Sequence, residues 1–386
     1  MTVPRVRVAA MAAGLTAAAL AMTACGSSSS SNGSAPAAGG GKNAATAASA
    51  ADFGGMTALI AAAKKEGTLN GIALPPDWAN YGAIIAAFEK KYGIKVADEN
   101  PDGASQDEIT AITSRKGQNR APDVVDLGNS FALKAAAQGI LAPYKVASWD
   151  DIPAAQKDAG GLRYDDYGGY VSIGCDAKAV KVCPTTFADL LKPDYKGKVA
   201  MNGDPTKSGS AFGGVFAAAL AGGGSLDNIQ PGLDFFHKLK ANGNFNPVES
   251  TPATVEKGET PISIDWDYLN AGYAKEFAGK GVDWKVAVPA DGQYAQYYSQ
   301  AINKYAPHPA AARLWEEFLY SNEGQNLWLQ GFSRPAEMPA MAQKGTLDKD
   351  AAAKLPAVTG SPTFPTTAQV DAAQQTVLAG WAKAVS

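Results

Sequence analysis

Two short stretches combine an acid with large aromatic rings: Asp77-Trp78, within Leu74-Pro75-Pro76-Asp77-Trp78-Ala79-Asn80, and Trp266-Asp267-Tyr268. A carboxylate beside an aromatic face suits an organic cation, because the acid neutralises an ammonium charge and the ring adds cation–π attraction. Hydrolytic chemistry lacks its parts. The chain has 2 His and 3 Cys, and contains no G-x-S-x-G elbow and no H-E-x-x-H motif. The Gly-Lys pairs starting at 41, 197 and 279 are not followed by Ser or Thr, so there is no phosphate-binding P-loop. His237 sits in Phe235-Phe236-His237-Lys238-Leu239, the pattern of a half-buried helical histidine, and His308 lies between prolines at a helix start. No histidine stands where it could serve a serine as base, so hydrolysis by a triad is not expected, and no motif calls for a cofactor.

Composition agrees with a binding role. With 386 residues and 46% hydrophobic side chains, the chain exceeds one compact core and predicts two domains or one large α/β unit. Charged residues make up 18%, and 34 Lys+Arg against 37 Asp+Glu leave −3 with no long basic run. Nucleic acid is excluded as a partner on that balance. All aromatic residues lie beyond residue 50, and they argue against a disordered chain.

The first fifty residues belong to export. Arg5 and Arg7 precede an apolar run from Val8 to Met22, too short to span a membrane comfortably, which predicts a signal peptide over 1–24. Met22-Thr23-Ala24-Cys25 resembles a bacterial lipobox, making Cys25 the lipidated first residue of the mature chain, held at the outer face of the cytoplasmic membrane. The following Ser, Gly and Ala stretch, taken as 25–51 with the cysteine, cannot bury enough apolar surface to offset its ordering entropy and reads as a flexible tether. In an oxidising compartment Cys175 and Cys183 would close a short local disulfide, with two free thiols as the alternative.

From Met56 onward helix-like and strand-like segments alternate. Tyr81 to Tyr92 places Ile84, Ile85 and Phe88 on one helical face and ends at Gly93; Asp123 to Leu127 and Pro261 to Asp265 read as short buried strands; Ser210 to Ala221 is a very apolar helix. The pattern restarts in the middle of the chain, which predicts two α/β lobes, one of them discontinuous in sequence.

Several stretches together resemble the extracellular solute-binding proteins of bacterial ABC importers, in the group that includes iron(III), polyamine, thiamine and aminophosphonate receptors. They are Ile84 to Val96 (IIAAFEKKYGIKV), Ala121-Pro122-Asp123-Val124-Val125, Gly139 to Tyr144 (GILAPY), Asp194 to Met201 (DYKGKVAM), Ser208-Gly209-Ser210 after Asp204-Pro205-Thr206, and Ala306 to Ala312 before Phe318 to Gln325. The resemblance implies a two-lobed periplasmic-binding-protein-like α/β fold of type 2, each lobe a mixed sheet flanked by helices, with a hinge between lobes. The expected lobes are 52–168 plus about 285–320, and 169–284 plus about 321–386. It also implies a monomer that captures a small solute in the interlobe cleft and hands it to the permease and ATPase subunits of an importer.

In open α/β sheets ligands sit beyond the carboxyl ends of strands. Four such strand ends supply the candidate ligand contacts: Asp77, Trp78 and Asn80; Asn129 and Ser130; Asp204, Thr206, Ser208 and Ser210, before a helix whose free N–H groups could hold a polar group; and Trp266, Asp267 and Tyr268. Asp, Ser and Asn also belong at helix starts as caps, the competing explanation for Asn129 and Ser210 above all. The acid and aromatic pairs place a polyamine-like or thiamine-like cation first. An iron(III) receptor ranks second, with Tyr297 and Tyr298 as alternative ligands. Alternation along a strand would point those two rings to opposite faces. An aminophosphonate, a sugar, or an enzyme built on the same fold are further alternatives.

Overall fold

The computed structural model describes residues 43–358 and 364–386. The expected signal peptide, Cys25 and the tether as far as residue 42 lie outside the described residues. The end of the expected tether does not hang free. Residues 44–46 form a helical turn, Ala44 and Ala47 are buried, and the buried Arg313 guanidinium donates to the carbonyl oxygens of Ala45 and Ala47. A guanidinium taken out of water needs acceptors, and this stretch of backbone supplies them.

Ten strands organise the described chain: β1 (Thr68–Ile72), β2 (Lys95–Glu99), β3 (Val124–Gly128), β4 (Leu141–Ala142), β5 (Tyr164–Asp176), β6 (Val199–Met201), β7 (Ile262–Trp266), β8 (Trp284–Ala287), β9 (Ala295–Asn303) and β10 (Arg334–Pro335). β1 and β2 pair in parallel. The larger sheet runs β3-β9-β5-β7-β6, with β8 and β10 also on β5 and β4 on β9. Only β6 and β7 are parallel within it, because β5 and β9 run antiparallel to each other and to their other neighbours. The sheets are therefore mixed, as the sequence resemblance implied.

β5 changes partners along its length. Its first half, Tyr164 to Tyr170, pairs with β9; its second half, Val171 to Asp176, pairs with β7 and β8. All 13 of its residues are buried, so it has no solvent face to alternate. Cys175 near its end is disulfide-bonded to Cys183, which ties down the loop that follows.

The helices bury the faces their sequences prescribe. Tyr81–Tyr92 buries Tyr81, Ile84 and Phe88 and stops at Gly93, whose φ of 69° suits glycine at a helix end. Gly209–Ala221 is capped by the Ser208 hydroxyl accepting from the Ala211 N–H, and it is buried almost throughout, consistent with its lack of a polar face. Beyond residue 320 the chain divides. Asn322–Gln330 packs on Tyr81–Tyr92 and on Pro309–Leu319, whereas Thr367–Ala384 packs on Gln230–Ala241 and Asn129–Ala137. In the first of these helices the buried Trp328 stacks on Tyr167, 4.2 Å between ring centroids, and meets Tyr81 edge-on at 4.9 Å.

Candidate binding cleft

A cleft of about 500 Å³ opens where β1 and β3 end opposite the start of helix Gly209–Ala221. One wall carries Asp77, Trp78, Asp102, Ser105, Asp107, Glu108 and Asp126; the facing wall carries Asn202, Asp204, Lys207, Ser208, Glu249, Ser250, Thr251 and Tyr273, with Tyr298 from β9 between them. Seven of these lining side chains are carboxylic acids, namely Asp77, Asp102, Asp107, Glu108, Asp126, Asp204 and Glu249; Lys207 is the one basic side chain among the described lining residues.

The charges act on one another across the gap. Glu249 is pushed above the ordinary carboxyl range, first by burial and then by repulsion from Asp102 on the opposite wall. Tyr273 is held well above its usual value by burial, with Asp265, Asp77, Glu276 and Glu249 adding repulsion. At the floor, Asp126 accepts hydrogen bonds from the hydroxyls of Tyr81 and Tyr167, each 2.7 Å from Oδ2, and its backbone N–H donates to Glu108 at 2.8 Å. Burial raises Asp126 to about 6 despite those two donors, and raises Glu108 well above its ordinary value.

Of the residues singled out in the sequence, Asp77, Trp78, Asp204 and Ser208 line this cleft. Trp78 is half-buried, donates from Nε1 to the Tyr167 hydroxyl at 2.7 Å, and stands edge-on to Tyr298 at 5.7 Å. Thr206 turns back on Asp204, donating to its Oδ1 at 2.7 Å. Ser210 is buried and donates to Asp265, which Asn202 also contacts. Asn80 adopts φ 74° and ties its side-chain amide to the Leu327 carbonyl at 2.7 Å. Asn129 and Ser130 open helix Asn129–Ala137 and are outside the lining.

The structure also places Trp266, Asp267 and Tyr268 outside the cleft lining. β7 lies inside the sheet and passes directly into helix Asp267–Glu276, so all three side chains turn into the core. Asp267 accepts from Arg334 and from the Tyr170 N–H, while Trp266 packs so close to Gly213 that a Cβ there would sit 2.6 Å from the ring. Tyr297 and Tyr298 point to opposite faces of β9. Tyr298 lines the cleft and Tyr297 meets the ring of Phe364 at 5.9 Å, so the two phenols share no metal site.

The sequence reading missed the floor. Asp126 is the acid inside an otherwise apolar strand, Val124-Val125-Asp126-Leu127, and Glu108 shares a helical stripe with the buried Ile109 and Ile112. An ionisable group on a face that should be apolar was the available signal.

The two walls meet at a pair of glycines. A Cβ on Gly128 would lie 3.1 Å from the Gly209 Cα, and one on Gly209 would lie 3.2 Å from the Gly128 Cα. Gly128→Val should prop the walls apart and weaken solute binding by at least about tenfold, read by calorimetry, with a smaller change in urea midpoint. Unchanged affinity would show that the glycine contact does not set the cleft width.

Residues 119–357 match the family described as bacterial extracellular solute-binding protein. The chain belongs to that family. It is 24% identical over 196 residues to a Sinorhizobium fredii protein named as an ABC transporter periplasmic-binding protein, covering 50% of this chain and 53% of that one. It is 30% identical over 186 residues to a Salmonella typhimurium protein named for 2-aminoethylphosphonate binding, covering 47% and 51%. The chain spans about half the length of these curated relatives. The periplasmic binding protein AfuA of Actinobacillus pleuropneumoniae, solved with fructose-6-phosphate, superposes with a TM-score of 0.62 at 20% identity over 81% of this chain and 98% of that one. That likeness confirms the two-lobed binding-protein fold.

Proposed function

We propose that this solute-binding protein captures an organic cation, polyamine-like or thiamine-like, in the interlobe cleft and delivers it to the permease of an ABC importer. The observation that carries the reading is the make-up of the lining: seven carboxyl groups against one lysine. Closing two acidic walls on each other costs electrostatic energy, and a cation between Asp102 and Glu249 offsets it; an anion would add to it. The aromatic side chains Trp78, Tyr273 and Tyr298 supply ring faces for the same charge. An aminophosphonate, the ligand in the name of the Salmonella relative, would bring its anionic group into this field with Lys207 as the only nearby lining cation. Iron(III) would need phenolates, which the raised Tyr298 disfavours.

The proposal includes a lipid anchor at Cys25 and a monomeric receptor with β5 and β9 crossing between lobes. It keeps Asn322–Gln330 with the first lobe. A thermal-shift panel of putrescine, spermidine, thiamine, iron(III) citrate and aminoethylphosphonate tests the ligand class. A cation at a hundred times its dissociation constant should stabilise the protein by about 2.7 kcal/mol, a rise of several degrees. Stabilisation by iron or by the phosphonate alone would overturn the cationic reading.

A further inference from the structure

The floor of the cleft carries more information than its charge. Asp126 is only 5% exposed, yet it belongs to the lining. Its Oδ2 is fixed by the two tyrosyl hydroxyls, so the carboxylate cannot turn without breaking both bonds. Its Oδ1 is buried and has no protein partner. Tyr167 stacks on Tyr298 at 5.6 Å beside this carboxylate, and Trp78 stands against both through a hydrogen bond to one and an edge contact to the other.

We propose that Asp126, with Glu108 beside it, seats the charged nitrogen of the solute and selects a nitrogen that carries N–H, taking primary and secondary ammonium groups and refusing quaternary ones. The inference rests on the cationic reading above. An N–H group brings its charge within about 2.7–2.9 Å of a carboxylate oxygen and satisfies the unpaired acceptor. A trimethylated nitrogen of equal charge keeps its centre farther away and leaves Oδ1 buried without a partner, and a site built around a hydrogen bond rejects the analogue that lacks it.

Proton competition follows from the same geometry. The groups facing Asp126 are Glu108 from helix Ser105–Ser114, Tyr81 from its helix, Asp165, Asp166 and Tyr167 from β5, Tyr268 from helix Asp267–Glu276, Tyr298 from β9 and Glu316 from helix Pro309–Leu319. No lysine or arginine among the described residues bonds its carboxylate. The Asp126 carboxyl, raised to about 6, takes up a proton below that pH. An ammonium ligand must displace that proton, so affinity falls as pH drops through this value.

The test is calorimetric titration of the protein at pH 7.5 with putrescine and spermidine, each set against its fully N-methylated, permanently charged counterpart. The expected result is binding of the parent amine and at least about 100-fold weaker binding of the methylated one, with Asp126→Asn weakening the parent by a similar factor and erasing the preference. Equal affinity for the two members of each pair overturns the seat while the cationic reading stands. Thiamine as the sole ligand does the same, since its permanent charge lies on a nitrogen without N–H. If every cation fails and the phosphonate or iron binds, the cationic reading falls and takes the seat with it. Should Asp126→Asn not fold, the paired amines on the unaltered protein still decide, and Glu108→Gln repeats the variant arm.

Discussion

Arg334→Met should destabilise the protein by about 3–5 kcal/mol at pH 8, the usual loss when one partner of a buried ion pair is removed. Asp267 is wholly buried, and Arg334 donates both to its Oδ2 and to the Pro356 carbonyl while lying 4.9 Å from the Tyr170 ring centroid. Burial raises the Asp267 carboxyl, and the guanidinium works against that rise. Without Arg334 the folded-state value climbs further above the unfolded one. A group raised in this way contributes stability below its unfolded value and loses it as pH rises, so the deficit should shrink as pH falls toward 5. Urea unfolding of the variant at pH 5 and pH 8 checks this, and Asp267→Asn combined with Arg334→Met should recover part of the loss. A deficit equal at both pH values would assign the loss to the packing on Tyr170 and the Pro356 contact.

That pair also shows where sequence stops being legible. Trp266-Asp267-Tyr268 reads as a binding cluster because an acid between aromatics at a strand end needs no such rings for capping. Its partner Arg334 lies 67 residues away, and nothing local to either position announces the pairing. Helices such as Tyr81–Tyr92 and strands such as β7 were legible because periodicity and glycine stops are local properties. The antiparallel course of β5 and β9 was not, since it depends on which distant strands meet. The cleft divides in the same way. Asp77 and Trp78 follow β1 directly and could be found from the strand end, whereas Glu108, Asp126 and Glu249 come from three separate segments that converge only in the folded chain. For Asp126 a reader of the sequence had the right loop and chose its neighbours, Asn129 and Ser130. Side-chain alternation, which sends residue 126 to the cleft, outweighs the polarity of the residues that follow.

Stability should rise as the solution is acidified from pH 8.5 toward 5.5, and Glu316→Gln should remove much of that slope. Glu316 lies in helix Pro309–Leu319 with no exposed surface, and neither carboxyl oxygen has a hydrogen-bond partner of good geometry. It faces Tyr164, Asp126, Glu317, Asp166 and Tyr320, with Arg313 as the opposing cation. Arg313 is already committed to the carbonyls of Ala45, Ala47 and Pro309. Burial therefore prevails and raises Glu316 to about 8, as it raises Asp165 to about 7. Both lie above ordinary unfolded values of about 4, so each contributes most below pH 4 and loses its contribution as pH rises through the folded value. The neutral amide carries no charge to desolvate, and the variant should be more stable than the parent by about 2 kcal/mol at pH 8, an advantage mostly gone near pH 5. Paired urea titrations across that range measure it. A variant that is less stable at every pH would mean that Glu316 is held ionised by a partner and that burial does not set its protonation.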